Sequence, residues 1–328
     1  MIVLVGATVA PARATVAQLP AAVASPGRWV SGDYTNAAGT RHYTLYLPAG
    51  YDPAKQHMLV VLLHGCTQDA ADIARGTRIT AHADRGAFLV LLPEQPAPAN
   101  GKKCWNWYDP AHQLRDAGEP SIIAGVTARI IGEYPVDPDR VHLAGISAGA
   151  AMASLVAVAY PETYASIALH SGIPWRSAAN VGAALGVMAK GLSDAESETL
   201  GRSAAAAMGV TARPIPALVI QGGQDKVVNP ANGRASALLW SAMNRVAAGG
   251  DVHSSSSVCD AAGLENGYHF VRHTSGRHGR EVVELRVEEL GHAWSGGSAD
   301  GTFTDERGID AMREVIDFFQ RHPRSEER

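Results

Sequence analysis

Midway along the chain an apolar stretch meets an alanine-rich one: Val141-His142-Leu143-Ala144-Gly145-Ile146-Ser147-Ala148-Gly149-Ala150. Gly-x-Ser-x-Gly in that setting constrains the fold more than any other segment. A strand that passes straight into a helix forces the residue at the turn, Ser147, into strained backbone angles. Gly145 and Gly149 remove the side chains that would collide where strand and helix approach. The Ser147 hydroxyl is thereby lifted clear of a sheet edge, and the helix N-terminus behind it favours developing negative charge. In a chain with 34 glycines a bare five-residue match carries little weight. The flanking strand and helix give it force.

The remaining pattern supplies the sheet that such a turn needs. Residues 58–63, 87–92, 141–146 and 217–220 are continuous apolar runs, as strands buried on both faces should be. Helical stretches at 70–85, 122–134, 148–159 and 231–246 alternate with them, which argues a mostly parallel sheet with helices on both faces. Two β-like stretches, 29–34 and 43–47, precede this rhythm around a turn-rich 36–40. Strands are expected at 268–273 and 281–288 around the polar turn 274–279, and a closing helix at 308–320. Residues 174–213 are Ala- and Gly-rich without a strand pattern. They read as a helical excursion, either a small cap over a ligand site or ordinary surface helix. The expectation is one α/β domain over residues 28–328.

Composition narrows the partners. Hydrophobic residues make up 46% of the chain, enough for a large core and too many for a disordered one. Lys plus Arg at 28 against Asp plus Glu at 32 leave −4, with no single-sign block. A nucleic-acid binder would show a basic stripe, so no nucleic-acid partner is expected. Three cysteines are too few for a disulfide scaffold and too scattered for a zinc site, so no metal is expected either. Residues 1–27 open with a short apolar run followed by Ala-Arg-Ala and Thr-Val-Ala. That reads as the remnant of a secretory signal without its positive leader, or as a disordered Ala-rich tail. The run is too short to span a bilayer. A secreted or periplasmic protein is expected, with no membrane and no partner protein implied.

A serine is a weak nucleophile until a base takes its proton and an acid orients that base. In α/β-hydrolases these follow in the order serine, acid, histidine. The run 217–220 ends in Gln221-Gly222-Gly223-Gln224-Asp225, which puts Asp225 in a Gly-rich turn at a strand's end. Asp251 and Asp260 are rivals in a loop-rich stretch, and Asp194 lies in the helical excursion. For the base, Gly291-His292-Ala293-Trp294 follows the strand at 281–288 and singles out His292. His253, His269, His273 and His278 are rivals, none of which ends a core strand. The tetrahedral oxyanion needs N–H donors. Ala148, just past the serine, is one; Cys66, in Leu63-His64-Gly65-Cys66-Thr67-Gln68, is the other. His64 has no ligand partner at a useful spacing and reads as a structural residue pinning that loop.

Taken together, these segments and Cys104-Trp105-Asn106-Trp107-Tyr108 resemble the poly(3-hydroxybutyrate) depolymerase family of α/β-hydrolase esterases. Asp225-Lys226-Val227-Val228-Asn229-Pro230, Ser295-Gly296-Gly297-Ser298 and Tyr160-Pro161-Glu162 match it too, so the likeness runs from about residue 41 to the last helix. The resemblance implies Ser147, Asp225 and His292 as a triad, with Cys66 and Ala148 as oxyanion donors. It implies ester hydrolysis without a cofactor, on short-chain hydroxyacyl esters such as poly- or oligo(3-hydroxybutyrate). Feruloyl or acetylxylan esters are the alternative substrates, and an inactive hydrolase-fold binding protein is the alternative of another class. Family members acting on solid polymer usually carry a polymer-binding domain. The sequence ends at Arg328 without one, so soluble oligomers or small esters are expected.

Two further expectations follow the family reading. Cys66 and Cys104 sit on loops expected at one sheet edge and can pair, with two free thiols as the alternative. A closed loop of roughly 38 residues would contribute about 4 kcal/mol by the chain-entropy model. Cys259 is assigned no role. Trp105, Trp107 and Trp294 are candidates for an apolar substrate cleft, with core packing as the alternative.

Overall fold

The computed structural model describes residues 26–250, 258–276 and 280–324. The readings placed on 1–25, Asp251, His253, 254–257 and His278 lie outside those residues. Among the described residues, ten strands form one sheet. They are β1 (Arg28–Asn36), β2 (Gly39–Leu47), β3 (His57–Leu63), β4 (Leu89–Pro93) and β5 (Val136–Ile146), then β6 (Ile167–His170), β7 (Ala217–Gly222), β8 (Val258–Glu265), β9 (Tyr268–Ser275) and β10 (Val282–Val287). Their spatial order is β1-β2-β4-β3-β5-β6-β7-β10-β9-β8. From β4 to β10 neighbouring strands run parallel, and antiparallel pairs flank them at both edges.

Period-two geometry sorts each central strand between two cores. In β3, Leu59, Val61 and Leu63 face one core, whereas Met58, Val60 and Leu62 face the other. On the first side pack α3 (Gly118–Glu133), α4 (Ala148–Ala159), α6 (Asp194–Ala207) and α7 (Ala231–Ala247). On the second pack α1 (Ala70–Thr77), α2 (Ile79–Gly86) and α8 (Ala311–Arg321). This is the α/β-hydrolase architecture that the family resemblance implies, with the mostly parallel sheet that the strand and helix alternation predicts. Helix α8 shows the rule for a surface helix: Met312, Val315, Ile316 and Phe319 form its buried stripe, and Asp310 caps it through the Arg313 N–H. Helix α4, at the centre of the layer, is apolar on nearly every side.

Three departures from the sequence reading have local causes. The single helix expected at 70–85 is two, broken where Arg78 turns left-handed at φ 57°. There Thr77 Oγ1 donates back to the Ile73 carbonyl and the Arg78 N–H to that of Arg75, tightening the last turn. Strand β6 is only four residues and shows no periodic run. Asp260 belongs to a strand, β8, rather than to a loop. Asn266-Gly267, both at positive φ, closes the β8–β9 hairpin.

Within residues 174–213, α5 (Val181–Lys190) and α6 form as helices. Ser193 and Glu196 make a reciprocal capping box at the start of α6. Gly201 lets α6 lie close on α7, since a Cβ there would stand 2.4 Å from the Leu239 carbonyl oxygen. The end of α5 is tied to the segment after Asp225 through Asn229 N–H to Met188 O and Asn232 Nδ2 to Val187 O.

Candidate active site

Strand β5 passes into α4 through Ser147 alone, at φ 56° and ψ −122°. That is strained territory for a residue with a side chain. The crossing is tight enough to exclude side chains on either flank. A Cβ on Gly145 would fall 2.4 Å from the Gly149 carbonyl carbon, and one on Gly149 2.3 Å from the Leu63 carbonyl oxygen. The Ser147 N–H donates to the His170 carbonyl at 2.9 Å, which prolongs the β5–β6 pairing to the turn itself.

The loops after β7 and β10 converge on this serine because glycines let them run against each other. A Cβ on Gly222 would meet the Gly291 carbonyl at 2.4 Å, and one on Gly223 the Glu288 carbonyl at 2.5 Å. Gly223 and Gln224 N–H groups instead donate to Val287 and Leu290 carbonyls. Asp225 and His292 are brought together as a result. His292 Nδ1–H donates to Asp225 Oδ2 at 2.7 Å, which leaves Nε2 to accept from the Ser147 hydroxyl at 3.1 Å. An imidazole so held can take the hydroxyl proton and keep one tautomer.

Asp225 Oδ1 accepts from the N–H groups of Val227 and Val228, and Oδ2 also from the Gln221 amide. Burial opposes its ionisation. The His292 hydrogen bond and charge, with those two N–H groups, outweigh burial and hold the carboxyl below its ordinary range. Below the elbow His170 stacks on Trp294, and burial, followed by the nearby His292, pushes its pKa down to about 3.

The opposite side of the serine is built from the loops after β3 and β4. Cys66 and Cys104 are joined by a disulfide. His64 is fully buried; its Nδ1–H donates to the Gly65 carbonyl at 2.7 Å and its Nε2 accepts from the Gln95 N–H at 2.9 Å. Burial lowers its pKa to about 4. On either side of Cys66 the backbone N–H groups are engaged, Gly65 with Gln68 Oε1 and Thr67 with the Lys102 carbonyl. The Ala148 N–H heads α4, where helices have no internal acceptor to offer.

Two sets of expectations are corrected or set aside. Trp105, Trp107 and Trp294 do not wall a cleft: they are 0%, 5% and 2% exposed and pack in the two cores. Large apolar rings at the root of a rim loop gain more from burial than from facing water. The exposed aromatic beside the site is Phe303, edge-on to His292 at 6.2 Å between ring centres. It lies in a segment without periodic pattern, at φ 52°, and no signal in the sequence marks it. Among the rivals, His273 pairs with Asp260, His269 with Glu289 and Asp194 with Arg234, all on the surface.

A family model described as Esterase PHB depolymerase matches residues 41–262. The chain is 34% identical over 175 residues to Poly(3-hydroxyalkanoate) depolymerase C of Paucimonas lemoignei, covering 53% of this chain and 42% of that protein. It is also 34% identical over 142 residues to Feruloyl esterase B of Neurospora crassa, covering 42% of this chain and 46% of that one. The matches thus span less than half the length of either relative. Among solved structures, an acetyl xylan esterase from Aspergillus awamori aligns with a TM-score of 0.67 at 18% identity, over 89% of this chain and 99% of that one. At that identity the likeness speaks for the fold alone. Among the described residues no helix is long and apolar enough to cross a membrane.

Proposed function

This chain belongs to the Esterase PHB depolymerase family, and from that premise we propose that it hydrolyses carboxylic esters through an acyl-enzyme on Ser147. The observation that carries the reading is His292 standing between Ser147 at 3.1 Å and Asp225 at 2.7 Å. His292 takes the hydroxyl proton as Ser147 Oγ attacks the ester carbonyl, while Asp225 holds the tautomer and stabilises the imidazolium. The Cys66 and Ala148 N–H groups receive the oxyanion, each worth roughly 3–4 kcal/mol of barrier. His292 then protonates the departing alcohol, and water repeats the sequence to free Ser147. Phe303, the exposed ring beside His292, offers apolar contact to one arm of the ester.

The substrate class we favour is short-chain hydroxyacyl esters, poly- or oligo(3-hydroxybutyrate), which the name of the Paucimonas lemoignei relative supports. Feruloyl or acetylxylan esters are the second reading, favoured by an equal identity to a feruloyl esterase. Residues 28–328 act as one catalytic domain, with 174–213 as its cap. The Cys66–Cys104 bridge and the small-residue pattern near the amino terminus support a secreted or periplasmic setting.

Release of product from 3-hydroxybutyrate oligomers, methyl ferulate and acetylated xylan by wild type and Ser147→Ala tests the proposal. Ser147→Ala should lower turnover on the order of 10⁶-fold. Equal rates for the two proteins would leave the inactive binding reading in its place.

A further inference from the structure

We propose that Phe303 selects the alcohol arm of the ester, favouring esters of secondary, carbon-substituted alcohols over methyl esters. The inference rests on the reading of Ser147, His292 and Asp225 as an ester-hydrolysing triad and deepens it. The Phe303 ring stands edge-on to the His292 imidazole, with 6.2 Å between ring centres, and 44% of the residue is exposed. Its backbone is at φ 52°, where a bulky residue is strained and stays only if its surroundings hold it.

The surroundings do hold it. Strand β11 (Trp294–Ser295) pairs in parallel with β12 (Thr304–Asp305), and the Trp294 N–H donates to the Phe303 carbonyl at 2.7 Å. His292 stands two residues before Trp294, so imidazole and phenyl are carried on one small ladder. On its other side the turn is fastened to α1 and the loop before it. Asp72 accepts from the Thr302 N–H at 3.0 Å and from the Thr302 hydroxyl, and Gln68 Nε2 donates to the Thr302 carbonyl at 3.0 Å. Gly301 lets the segment lie on α1, since a Cβ there would fall 2.4 Å from the Gly76 Cα. Every one of these bonds acts on Thr302 or on the backbone. The fold thus keeps the chain in a strained turn and still leaves the ring in the open, beside the catalytic histidine.

The chemistry says which arm of the ester the ring meets. In acylation the bond from Ser147 Oγ to the carbonyl carbon forms, the bond from that carbon to the alkoxy oxygen breaks, and the serine proton passes through His292 to the departing oxygen. That oxygen must come within hydrogen-bonding reach of Nε2, while the carbonyl oxygen turns to the donors across the serine. The carbon that bears the departing oxygen therefore lies close to the imidazole, and a phenyl edge-on to that imidazole is placed to touch its substituents. Methanol has none to offer. A secondary alcohol has two, and a 3-hydroxybutyrate chain and an acetylated xylan ring both depart as secondary alcohols.

Hydrolysis of cyclohexyl butyrate, methyl butyrate and cyclohexyl acetate by wild type and F303A, followed by acid release, gives the test. The two alkanols are of similar acidity, so their ratio reports contact rather than leaving-group reactivity. The quantity to compare is kcat/KM, which reports acylation, the step in which the alcohol is still present. In F303A the ratio of cyclohexyl to methyl butyrate should fall about tenfold. The ratio of cyclohexyl butyrate to cyclohexyl acetate should hold within about twofold, because the acyl arm does not meet the ring. An alcohol ratio within about twofold of wild type overturns the proposal, whether or not the three rates fall together. So does an acyl ratio that changes more than the alcohol ratio, which would put the ring on the other arm. Should F303A fail to fold, F303G, unstrained at this φ, takes its place with the same outcomes. If wild-type turnover survives Ser147→Ala, the ester-hydrolase reading falls instead. A serine-dependent wild type with an unchanged alcohol ratio in F303A leaves that reading intact and removes only the role of Phe303.

Discussion

Each half of the site's rim carries a histidine beside a glycine, His64-Gly65 on one side and Gly291-His292 on the other. The two could hardly be employed more differently. Both ring nitrogens of His64 are spent on backbone groups, Gly65 O and Gln95 N–H, and no face reaches solvent. Both ring nitrogens of His292 meet side chains that gain or lose protons or charge, Asp225 and Ser147. One half of the rim is a frame and the other is the proposed proton relay. What decides between them is which groups the fold turns towards the imidazole, since the neighbouring glycine is common to both.

The largest break in that contrast is expected at Asp225. Asp225→Asn keeps the shape of the side chain but invites the other His292 tautomer, so kcat should fall about 10⁴-fold with little change in KM. That is about 5 kcal/mol on the barrier. Thermal stability should change far less, because the Val227 and Val228 N–H groups can still bond the amide oxygen. A kcat loss under tenfold in a correctly folded variant would put the relay elsewhere.

On the frame side the balance should invert. Replacing Cys66 and Cys104 together by serine opens a loop with a sequence separation of 38. The chain-entropy model puts the loss near ~4 kcal/mol of folding stability. Activity in the folded fraction should fall by no more than about tenfold, as His64 still holds the Gly65 carbonyl. Urea denaturation alongside kinetics separates the two effects. Unchanged stability with activity abolished would make the bridge part of the chemistry rather than of the frame.

The relay half was legible in the sequence and the frame half only partly so. Gly222-Gly223 before Asp225 is a signal because close loop approach demands it, and the structure shows backbone within 2.4–2.5 Å of where those side chains would stand, whereas Gly291 before His292 has open space at that position. Strand alternation with helices exposed the sheet for the same reason: a strand buried on two faces must be apolar throughout. The frame depends on contacts with no local signature. Gln95 lies past β4 in an ordinary loop, and its meeting with His64, Cys104 and Glu119 follows from the sheet order alone. The tryptophans misled because a ring near a catalytic residue in sequence can point either way; here all three turn inward. The β8–β9 hairpin could have been read from Asn266-Gly267, the strongest short-range hairpin signal in that stretch.

The smallest effect concerns stability against acid, and it sharpens the contrast between framing and reacting histidines. His64, His142 and His170 are buried, and burial pushes their pKa values down, to about 4 for His64 and about 3 for His170. In the unfolded chain each returns to the ordinary value of about 6.5. As pH falls below that value the unfolded chain takes up protons that the folded chain refuses, so folding stability declines. Each such site contributes at most about 1.4 kcal/mol per pH unit, until the folded ring is itself protonated. Asp225 acts in a different window. Its lowered pKa adds stability that is present above the ordinary carboxylate value and is lost only as pH drops through the folded one. Glu284, pushed up by burial, works in the opposite sense to the histidines as it protonates. Urea midpoints measured from pH 7 down to 4.5 should therefore fall steadily, and H64N should make the slope shallower than wild type. Parallel slopes for wild type and H64N would mean that His64 takes up its proton in the fold as readily as in the unfolded chain, and a protonated ring has no acceptor left for Gln95.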